Sequence, residues 1–447
     1  MTLAIQDDRL AQLLMKSDPT LGLDAARIKL ERAALVITIG GAQAAGWGQA
    51  ALLTIAECGV RSFRGGVYLD GEFDELVHVG GWMRVPLKRM LIAAGCRAET
   101  PSPHALRVHV GADDSSREAR LSCWTDGWVA GVGPSGPKDA LRQGNEISGA
   151  LAGAMLVTAA FRMSVLGDLV AARRTQRLSP LTPQHSNPEG IGLDLLPSAM
   201  WLLGLGNLGQ AVLWVLGLLP YRDPGAVHLV LQDIDRCGPE NQDIQILTRV
   251  PWIGQRKARA SAEWAEARGF QTTINEVPFG PDTVRDPSSP GLAFVGVDNI
   301  ETRRHAARLG SGFDLVIDAG LGATPAELFD LRIHAFPGSR EPLAAWPGVP
   351  PTPSEVTLQP DLQKLVLQGR LDQCGALSIA GQAVGMPSTA VAAATIQIAQ
   401  ALRAIREARI CDFVDASLAN TARTVTHEVE VARARALLFE EARTGGG

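Results

Sequence analysis

Apolar positions along the chain come in short continuous runs, each closed by glycines and followed by a longer apolar helix. Residues 199–219, "AMWLLGLGNLGQAVLWVLGLL", predict a strand, a glycine-rich turn and a helix. Residues 34–60, "ALVITIGGAQAAGWGQAALLTIAECGV", repeat this succession, including Gly-Gln-Ala at the start of the helix. Each segment is followed by a strand that ends in Asp, and each half closes with a long Ala-rich helix, at residues 145–167 and 386–405. The pattern predicts two related α/β units in tandem.

The second unit predicts a doubly wound parallel sheet. "AFVGVD" and "FDLVIDAGLG" are continuous apolar runs, which are typical of strands buried on both faces. Residues 172–198 are rich in Pro, Ser, Asn and Arg and predict a connector, so we place the units at 1–185 and 186–447. The proline-rich stretch at about 337–373 predicts a long loop without regular structure.

Composition excludes several classes of function. The net charge of −5 provides no long-range attraction for nucleic acid, so small molecules or proteins are the expected partners. The six cysteines are scattered without a CxxC pair, and neither a zinc site nor a disulfide framework is expected. The N-terminal "MTLAIQDDRLAQLL" lacks the cations of a secretory signal, and Gly, Arg or Asp interrupt the apolar segments elsewhere. We expect a cytoplasmic protein without a membrane span.

A glycine-rich turn is the first indication of chemistry. Gly204, Gly206 and Gly209 form G-x-G-x-x-G between a strand and a helix, where backbone N–H groups can face a phosphate. Alone, this motif also fits a dinucleotide dehydrogenase that holds the ribose hydroxyls with Asp233. An NAD-dependent oxidoreductase is therefore one open interpretation.

A second set of polar residues follows Asp233 at spacings that a dehydrogenase does not need. In "DIDRCGPENQDIQILTRVPWIGQRKARASAEW" and "DNIETR", the chain resembles the adenylating domain of the ThiF/MoeB and ubiquitin-activating enzyme superfamily, over roughly residues 199–410. The resemblance implies tandem Rossmann-like sheets, one an inactive and the other an active adenylation domain. The matching residues are Asp233, Asp235, Asn241, Gln245, Arg249, Lys257, Asp298, Asn299 and Arg303.

The resemblance also implies roles for these residues, with ATP and Mg²⁺ as cofactors. Asp233 would hold the ribose, Lys257 and Arg249 the phosphates, and Asp298 the Mg²⁺ or the surroundings of the attacking carboxylate. The other implied nucleotide-binding residues are Gly204, Gly206, Asn207, Gly209, Asp235, Asn241 and Gln245. A carboxylate is already ionised near neutral pH, so acyl-adenylate formation needs cations and no general base.

One position departs from the pattern of the superfamily, which has an arginine immediately before the glutamine. This chain has Ile244 there, so one phosphate contact is missing. Arg249 or Arg256 is a candidate to replace it, and a weakened domain is the alternative.

The first unit has the strand, turn and helix but lacks the polar set. Its turn is three residues longer, from Gly40 to Gly48, and Trp47 lies inside it, where a ring would fill the space that a phosphate needs. We predict that this unit binds no nucleotide and pairs with the second unit in cis. By resemblance, "QDDRLAQLL" lends an arginine to the ATP site, which nominates Arg9. Formation of a homodimer is left open.

Cys374 follows the proline-rich loop and opens "CGALSIAGQAVGMPS". A thiol at a helix start has a lowered pKa, which favours the nucleophilic thiolate. The implied function is ATP-dependent adenylation of the C-terminal glycine of a ubiquitin-like protein. Thioester formation on Cys374 and transfer to a conjugating enzyme would follow, as in bacterial ubiquitin-like conjugation systems, some of them linked to antiviral defence. The alternatives are a sulfur-carrier adenylyltransferase without thioester transfer, the oxidoreductase, and a non-catalytic scaffold that binds a ubiquitin-like protein.

Overall fold

The computed structural model describes residues 8–18, 20–80, 84–111, 120–134, 144–283, 285–286, 288–308, 310–347, 385–431 and 439–441. The first unit alternates strands and helices as the apolar pattern predicts. Its strands are β1 (Ala34–Ile39), β2 (Gly66–Leu69), β3 (Leu106–Val110), β4 (Leu121–Asp126), β5 (Val129–Gly133) and β6 (Gln176–Leu178). Its helices are α1 (Arg9–Ser17), α2 (Leu23–Arg32), α3 (Gly46–Ser62), α4 (Leu87–Ala94) and α5 (Glu146–Ser164).

The second unit follows the same plan with more strands. Its helices are α6 (Asn207–Leu218), α7 (Lys257–Glu266), α8 (Ile300–Ala307), α9 (Pro342–Ala345) and α10 (Pro387–Glu407). Its strands are β7 (Leu195–Pro197), β8 (Ala199–Leu203), β9 (His228–Gln232), β10 (Gln271–Asn275), β11 (Leu292–Val295), β12 (Leu315–Leu321), β13 (Asp330–Phe336), β14 (Arg409–Ser417), β15 (Val425–Glu430) and β16 (Phe439–Glu441).

The two main sheets share one order of strands. The 8-stranded sheet runs β10-β9-β8-β11-β12-β13-β14-β15, and the 6-stranded sheet runs β2-β1-β3-β4-β5-β6. Pairing is parallel from β10 to β12 and from β2 to β4. Where the second unit has β10, the first has a single parallel bridge between Tyr68 and Arg97. The predicted tandem of doubly wound α/β sheets is confirmed.

Both sheets differ from a wholly parallel arrangement at one edge. The pairs from β12 to β15, and from β4 to β6, are antiparallel. The chain passes from β12 to β13 through a connection that contains only the 3₁₀ helix Pro325–Glu327, and antiparallel strands can be joined by such short connections. Within the predicted long loop, residues 337–347 contain one helical turn, α9. Residues 348–373 lie outside the described residues.

The two units share a hydrophobic core. Helices α3 and α5 of the first unit pack against α6 and α10 of the second, and one continuous cluster of buried apolar side chains includes all four. Buried hydrogen bonds also cross this boundary; among them, Trp214 Nε1 donates to Thr54 Oγ1 at 3.0 Å, and Thr158 Oγ1 donates to Ser388 Oγ at 2.9 Å. Neither unit therefore has a core that is complete without the other.

Among the described residues, helix α5 is long and apolar enough to cross a membrane by length and composition alone. In the fold, 83% of its apolar window is buried, and α5 packs on α3, α10 and strands β4 and β5. A helix that is apolar on all sides is typical of a protein core, and α5 occupies such a central position.

Candidate nucleotide-binding site

A cavity of about 460 Å³ lies beyond the carboxyl ends of β8, β9 and β11. Strand β8 pairs with β9 on one side and β11 on the other, so the strand order reverses there, and ligands of open α/β sheets bind at such switch points. The cavity brings together eight of the residues predicted from the sequence. They are Gly204, Gly206, Asn207, Asp233, Asp235, Lys257, Asp298 and Asn299.

The three glycines of the turn have different surroundings. Gly204 has a φ of +87°, and a Cβ there would lie 2.8 Å from the Val297 side chain. A Cβ on Gly209 would lie 1.9 Å from the carbonyl oxygen of Gly204, so the packing of α6 on the turn requires glycine. Nothing lies within 4 Å of the Cβ position of Gly206. The backbone at Gly206 is therefore the part of the turn that a ligand can approach.

The start of helix α6 is suited to an anion. Its N-cap, Gly206, provides no side-chain cap, and its first turn contains no acidic residue. The N–H groups of the first turn and the positive end of the helix dipole therefore face the cavity without a competing carboxylate. Asn207 lines the same wall, and its buried Oδ1 has no hydrogen-bond partner among the described residues. A ligand with a donor group would satisfy that oxygen.

Asp233, at the end of β9, is held as an oriented acceptor. Its Oδ2 accepts from the Leu205 N–H at 2.6 Å and its Oδ1 from the Asp235 N–H at 2.7 Å. Lys257, the first residue of α7, donates from Nζ to Asp235 Oδ2 at 2.9 Å. Burial opposes the charge of Lys257, but Asp233 and Asp235 outweigh burial and raise the pKa of the lysine. Lys257 is thus a fixed cation on the cavity wall.

Asp298 precedes helix α8 and is exposed to the cavity. Among the described residues, Asp298 has neither a hydrogen-bond donor nor a cation as partner. The cap of α8 is the neighbouring Asn299, which accepts from the Thr302 N–H at 3.0 Å. No cluster of three or more metal-ligating side chains occurs in the described part of the chain. A single free carboxylate fits Mg²⁺, which proteins often hold with one or two carboxylates plus substrate phosphates.

Asn241 and Gln245 lie behind the turn and do not line the cavity. Asn241 Oδ1 accepts from the Gly238 N–H at 2.9 Å. Gln245 Oε1 accepts from Gln210 Nε2 at 2.8 Å and from Thr248 Oγ1 at 2.9 Å. In this structure both side chains stabilise the segment after β9, and their role as direct nucleotide ligands stays a prediction.

Gln210 is the functional residue that sequence reasoning missed. This fully buried side chain of α6 joins the glycine turn, through the Leu205 carbonyl at 3.2 Å, to the Leu247 N–H, which donates to Oε1 at 3.0 Å. Its counterpart Gln49 does the same in the first unit. There Nε2 donates to the Gln43 and Leu76 carbonyls, and Oε1 accepts from the His78 N–H. The repeated Gly-Gln-Ala was the signal that could have identified it.

Arg249 and Arg9 do not line the cavity. Arg249 turns to the first unit, where Nη2 donates to Glu57 Oε1 at 2.5 Å and Nη1 to the Ala93 carbonyl at 3.4 Å. Its role as a phosphate ligand stays a prediction. Arg9 is buried at the start of α1. Cys374 lies outside the described residues. The alternative arginine, Arg256, donates to the carbonyl of Ile234, which lines the cavity.

A second cavity, of about 400 Å³, lies along the antiparallel part of the sheet. Arg303 of α8 connects the two cavities, because Nε donates to the Val297 carbonyl at 2.7 Å and Nη1 to Asp318 Oδ2 at 2.9 Å. Burial raises the pKa of Asp318 to about 7, although Arg303 opposes this. His334 stands opposite Asp318 on β13, and burial together with nearby arginines lowers the pKa of this histidine to about 4.

Fold and cavity together define a class: a tandem doubly wound α/β protein with a developed ligand crevice at the switch point of its second sheet. Two family descriptions match the chain, the BilD N-terminal domain over residues 34–180 and the BilD C-terminal domain over residues 196–408. A relative from Collimonas sp. (strain OK412), named "Bacterial E1-like protein BilD", is 34% identical over 430 residues, covering 92% of this chain and 91% of the relative. The chain belongs to the BilD family of bacterial E1-like proteins.

Solved structures with a similar fold include those of E. coli MccB. The structure of MccB with MccA-N7isoASN matches 54% of this chain and 67% of that chain, at 14% identity and a TM-score of 0.33. The structure of MccB alone matches 56% of this chain and 67% of that chain, at 11% identity and a TM-score of 0.33. Both are distant likenesses.

Proposed function

We propose that this protein adenylates the C-terminal carboxylate of a ubiquitin-like protein with ATP, and that the reaction takes place in the cavity of the second unit. The observation that carries the proposal is the convergence of an open glycine turn, the fixed cation Lys257 and the free carboxylate Asp298 in one cavity. Membership of an E1-like family supports it. A dehydrogenase would need neither Lys257 nor Asp298.

The chemistry follows from the charges on the cavity wall. The carboxylate attacks the α-phosphate and pyrophosphate leaves, so two anions must be brought together. Asp233, with both oxygens oriented by backbone N–H groups, would accept from the ribose hydroxyls. The first turn of α6 and Lys257 would bind the phosphates, and Asp298 would hold Mg²⁺, which neutralises phosphate charge when bound.

A second protein cation is needed, because three aspartates and only one lysine of the predicted site line the cavity. We propose Arg256 for this role. Its guanidinium contacts the Ile234 carbonyl, between Asp233 and Asp235, and the nearby carboxylate of Glu276 forms its salt bridge with Arg259 instead. Arg249, by contrast, is already paired with Glu57.

Arg9 is the proposed cation from the first unit. Its helix α1 is attached to the second unit through Arg64, whose Nη2 donates to Asp8 Oδ1 at 2.6 Å and to Asp243 Oδ2 at 2.8 Å. Helix α1 also contacts the 3₁₀ helix Pro325–Glu327, which borders the second cavity. This packing brings the start of α1 near the segment that follows β9.

The second cavity supports a polypeptide substrate. It adjoins the nucleotide cavity at Arg303, so a chain whose carboxylate reached the first cavity could lie along β12 and β13 in the second. Its wall is polar, and its three arginines are paired: Arg303, Arg332 and Arg423 pair with Asp318, Asp415 and Asp330.

We propose that Cys374 then accepts the acyl group and passes it to a conjugating enzyme. The five cysteines among the described residues are poor candidates. All are buried, and burial raises the pKa of each thiol, which disfavours the thiolate nucleophile.

We also propose that the first unit binds no nucleotide. Its glycine turn contains the 3₁₀ helix Gly41–Ala44. Trp47 packs against the shared hydrophobic core.

Exchange of labelled pyrophosphate into ATP, with the ubiquitin-like partner present, tests the adenylation site. Lys257→Ala and Asp298→Ala should abolish exchange, because each removes a charge that the proposed reaction requires, at the phosphates for Lys257 and at Mg²⁺ for Asp298. Arg259→Ala is the matched control: Arg259 lies on the same helix but is exposed and pairs with Glu276, and neither residue lines the cavity. Full exchange in both site variants would reject the proposal, and NAD binding without exchange would favour the oxidoreductase.

The thioester step has its own test. With Cys374→Ala, pyrophosphate exchange should persist while the adduct with the partner, which reducing agent cleaves, disappears. Persistence of that adduct would exclude Cys374 as the nucleophile and leave the adenylation proposal intact.

A further inference from the structure

Arg61, at the end of helix α3, reaches from the first unit into the backbone of the second. Its Nε donates to the Gln245 carbonyl at 2.9 Å and its Nη2 to the Thr248 carbonyl at 3.2 Å. Its Nη1 is held by the Glu57 side chain and carbonyl, at 2.8 and 2.7 Å. Arg61 is buried, so water cannot replace these bonds.

The segment that Arg61 holds is the one that holds Gln210. Gln245 Oε1 accepts from Gln210 Nε2 at 2.8 Å, and the Leu247 N–H donates to Gln210 Oε1 at 3.0 Å. Gln210 and Gln245 are both buried. Buried bonds of this kind are strong and directional because the surroundings have a low dielectric constant.

Gln210 links this segment to the cavity wall. Its Nε2 donates to the Leu205 carbonyl at 3.2 Å, and the Leu205 N–H donates to Asp233 Oδ2 at 2.6 Å. Leu205 lies between Gly204 and Gly206 of the turn. A path of hydrogen bonds, connected through the covalent bonds of Gln245, Gln210 and Leu205, therefore joins the guanidinium of Arg61 to the carboxylate of Asp233.

We infer that Arg61 is a positioning residue for the nucleotide cavity. The first unit thereby fixes the geometry of the glycine turn and of Asp233 in the second, even though Arg61 touches no part of the cavity. The planar guanidinium suits this role, because it fixes two carbonyls at once with little loss of side-chain entropy. That the ligand of this cavity is ATP rests on the proposed function, whereas the coupling between Arg61 and the glycine turn does not.

Hydrogen exchange without nucleotide tests the coupling directly. Arg61→Met should increase exchange of the Leu247 and Leu205 amides, which donate to Gln210 and Asp233. Arg162→Met is the matched control, since Arg162 is also an arginine of the first unit that donates to a carbonyl of the second, that of Ala419 at 2.9 Å, and also pairs with a carboxylate, Asp168. It lies outside the path and should leave both amides protected.

Binding of ATP with Mg²⁺ tests the consequence. Arg61→Met should weaken binding about tenfold, a typical size for coupling between sites, and Arg61→Lys should weaken it less. Arg162→Met should not change it. Because Arg61 acts through Gln210, the effects of Arg61→Met and Gln210→Met should be less than additive, whereas those of Arg162→Met and Gln210→Met should add.

Unchanged protection of Leu205 in the Arg61 variants would overturn the inference, as would additive effects of Arg61→Met and Gln210→Met. If Arg61→Met does not fold, Arg61→Lys and Gln210→Met carry the same comparison. Failure of the wild-type protein to bind ATP would instead reject the proposed function, and the exchange result would still decide whether Arg61 positions the turn.

Discussion

The glycine turn offers a sharp test of the site, because two of its glycines are required for different reasons. A Cβ added to Gly209 would lie 1.9 Å from the Gly204 carbonyl oxygen, so α6 would have to move away from the turn. Overpacking of this severity costs about 3 kcal/mol, or roughly 3 °C in Tm for a protein of this size. A Cβ added to Gly206 meets nothing within 4 Å, and alanine at an N-cap costs about 1 kcal/mol.

For ATP binding we expect the opposite order, with the larger effect from alanine at Gly206. Alanine at Gly206 places a methyl group where a phosphate would approach the N–H groups of α6. Losing one hydrogen bond to a charged group costs about 1.5–3 kcal/mol, which raises the Kd for ATP roughly 10- to 100-fold. Thermal unfolding and calorimetric titration of Gly206→Ala and Gly209→Ala measure both quantities. Wild-type affinity in Gly206→Ala, or a loss of stability equal to that of Gly209→Ala, would refute this account of the turn.

Three further outcomes follow from buried groups. Trp214→Phe should lower the free energy of unfolding by about 1–3 kcal/mol, since it leaves the buried Thr54 hydroxyl unpaired; urea unfolding measures this, and an unchanged midpoint would contradict it. Because the unfolded state takes up the proton of His334 near pH 6.5 and the folded state only near pH 4, the contribution of His334 to stability should fall by about 3 kcal/mol as the pH drops through that window. The contribution of Asp318, whose pKa is raised to about 7, has the opposite sign. His334→Gln should therefore shift the difference in stability between pH 7 and pH 4 by about 3 kcal/mol in favour of pH 4, and a pH profile identical to that of the wild type would contradict it. Under native conditions at pH 8, mass spectrometry should find little alkylation of the buried cysteines, which are Cys58, Cys96, Cys123, Cys237 and Cys411.

Local patterns predicted the local elements well. The strand, turn and helix around Gly204 follow from apolar runs and glycine spacing, and so does the cavity at the switch point of the sheet. The antiparallel edge could not be predicted, because the direction of β13 depends on the path of the chain after β12 and not on its composition. Apolar runs buried on both faces look alike in either direction.

The residues on the cavity wall were easier to predict than those behind it. Asp233, Lys257 and Asp298 each follow a strand or open a helix at the carboxyl edge of the sheet, so their spacing carries the information. Arg61 acts through partners up to 187 positions away in the sequence, and no local pattern records such a pairing. The turn of Arg249 toward Glu57 likewise depends on how the units pack.

Comparison of the two units distinguishes the residues that maintain the glycine turn from those that a ligand would contact. Gln49 and Gln210 make matching bonds behind their turns, so this part was retained in both units. On the side of the glycine turn where a ligand would bind, the side chains of the two units differ. Asp70, which follows β2 as Asp233 follows β9, is paired with Arg107 of β3, whereas Asp233 is oriented by backbone N–H groups and keeps lone pairs for a ligand.

The start of α3 shows the same difference. A Cβ on Gly46 would lie 2.5 Å from a Glu146 oxygen, so a carboxyl group occupies the end of the helix where an anion would bind. Burial raises the pKa of Glu146, yet even a neutral carboxyl group fills the space that a phosphate requires. The first unit therefore kept the hydrogen bonds that shape a doubly wound fold but has other groups where the second unit would face a nucleotide. Its Arg61 supports the glycine turn of the second unit, where those groups are present.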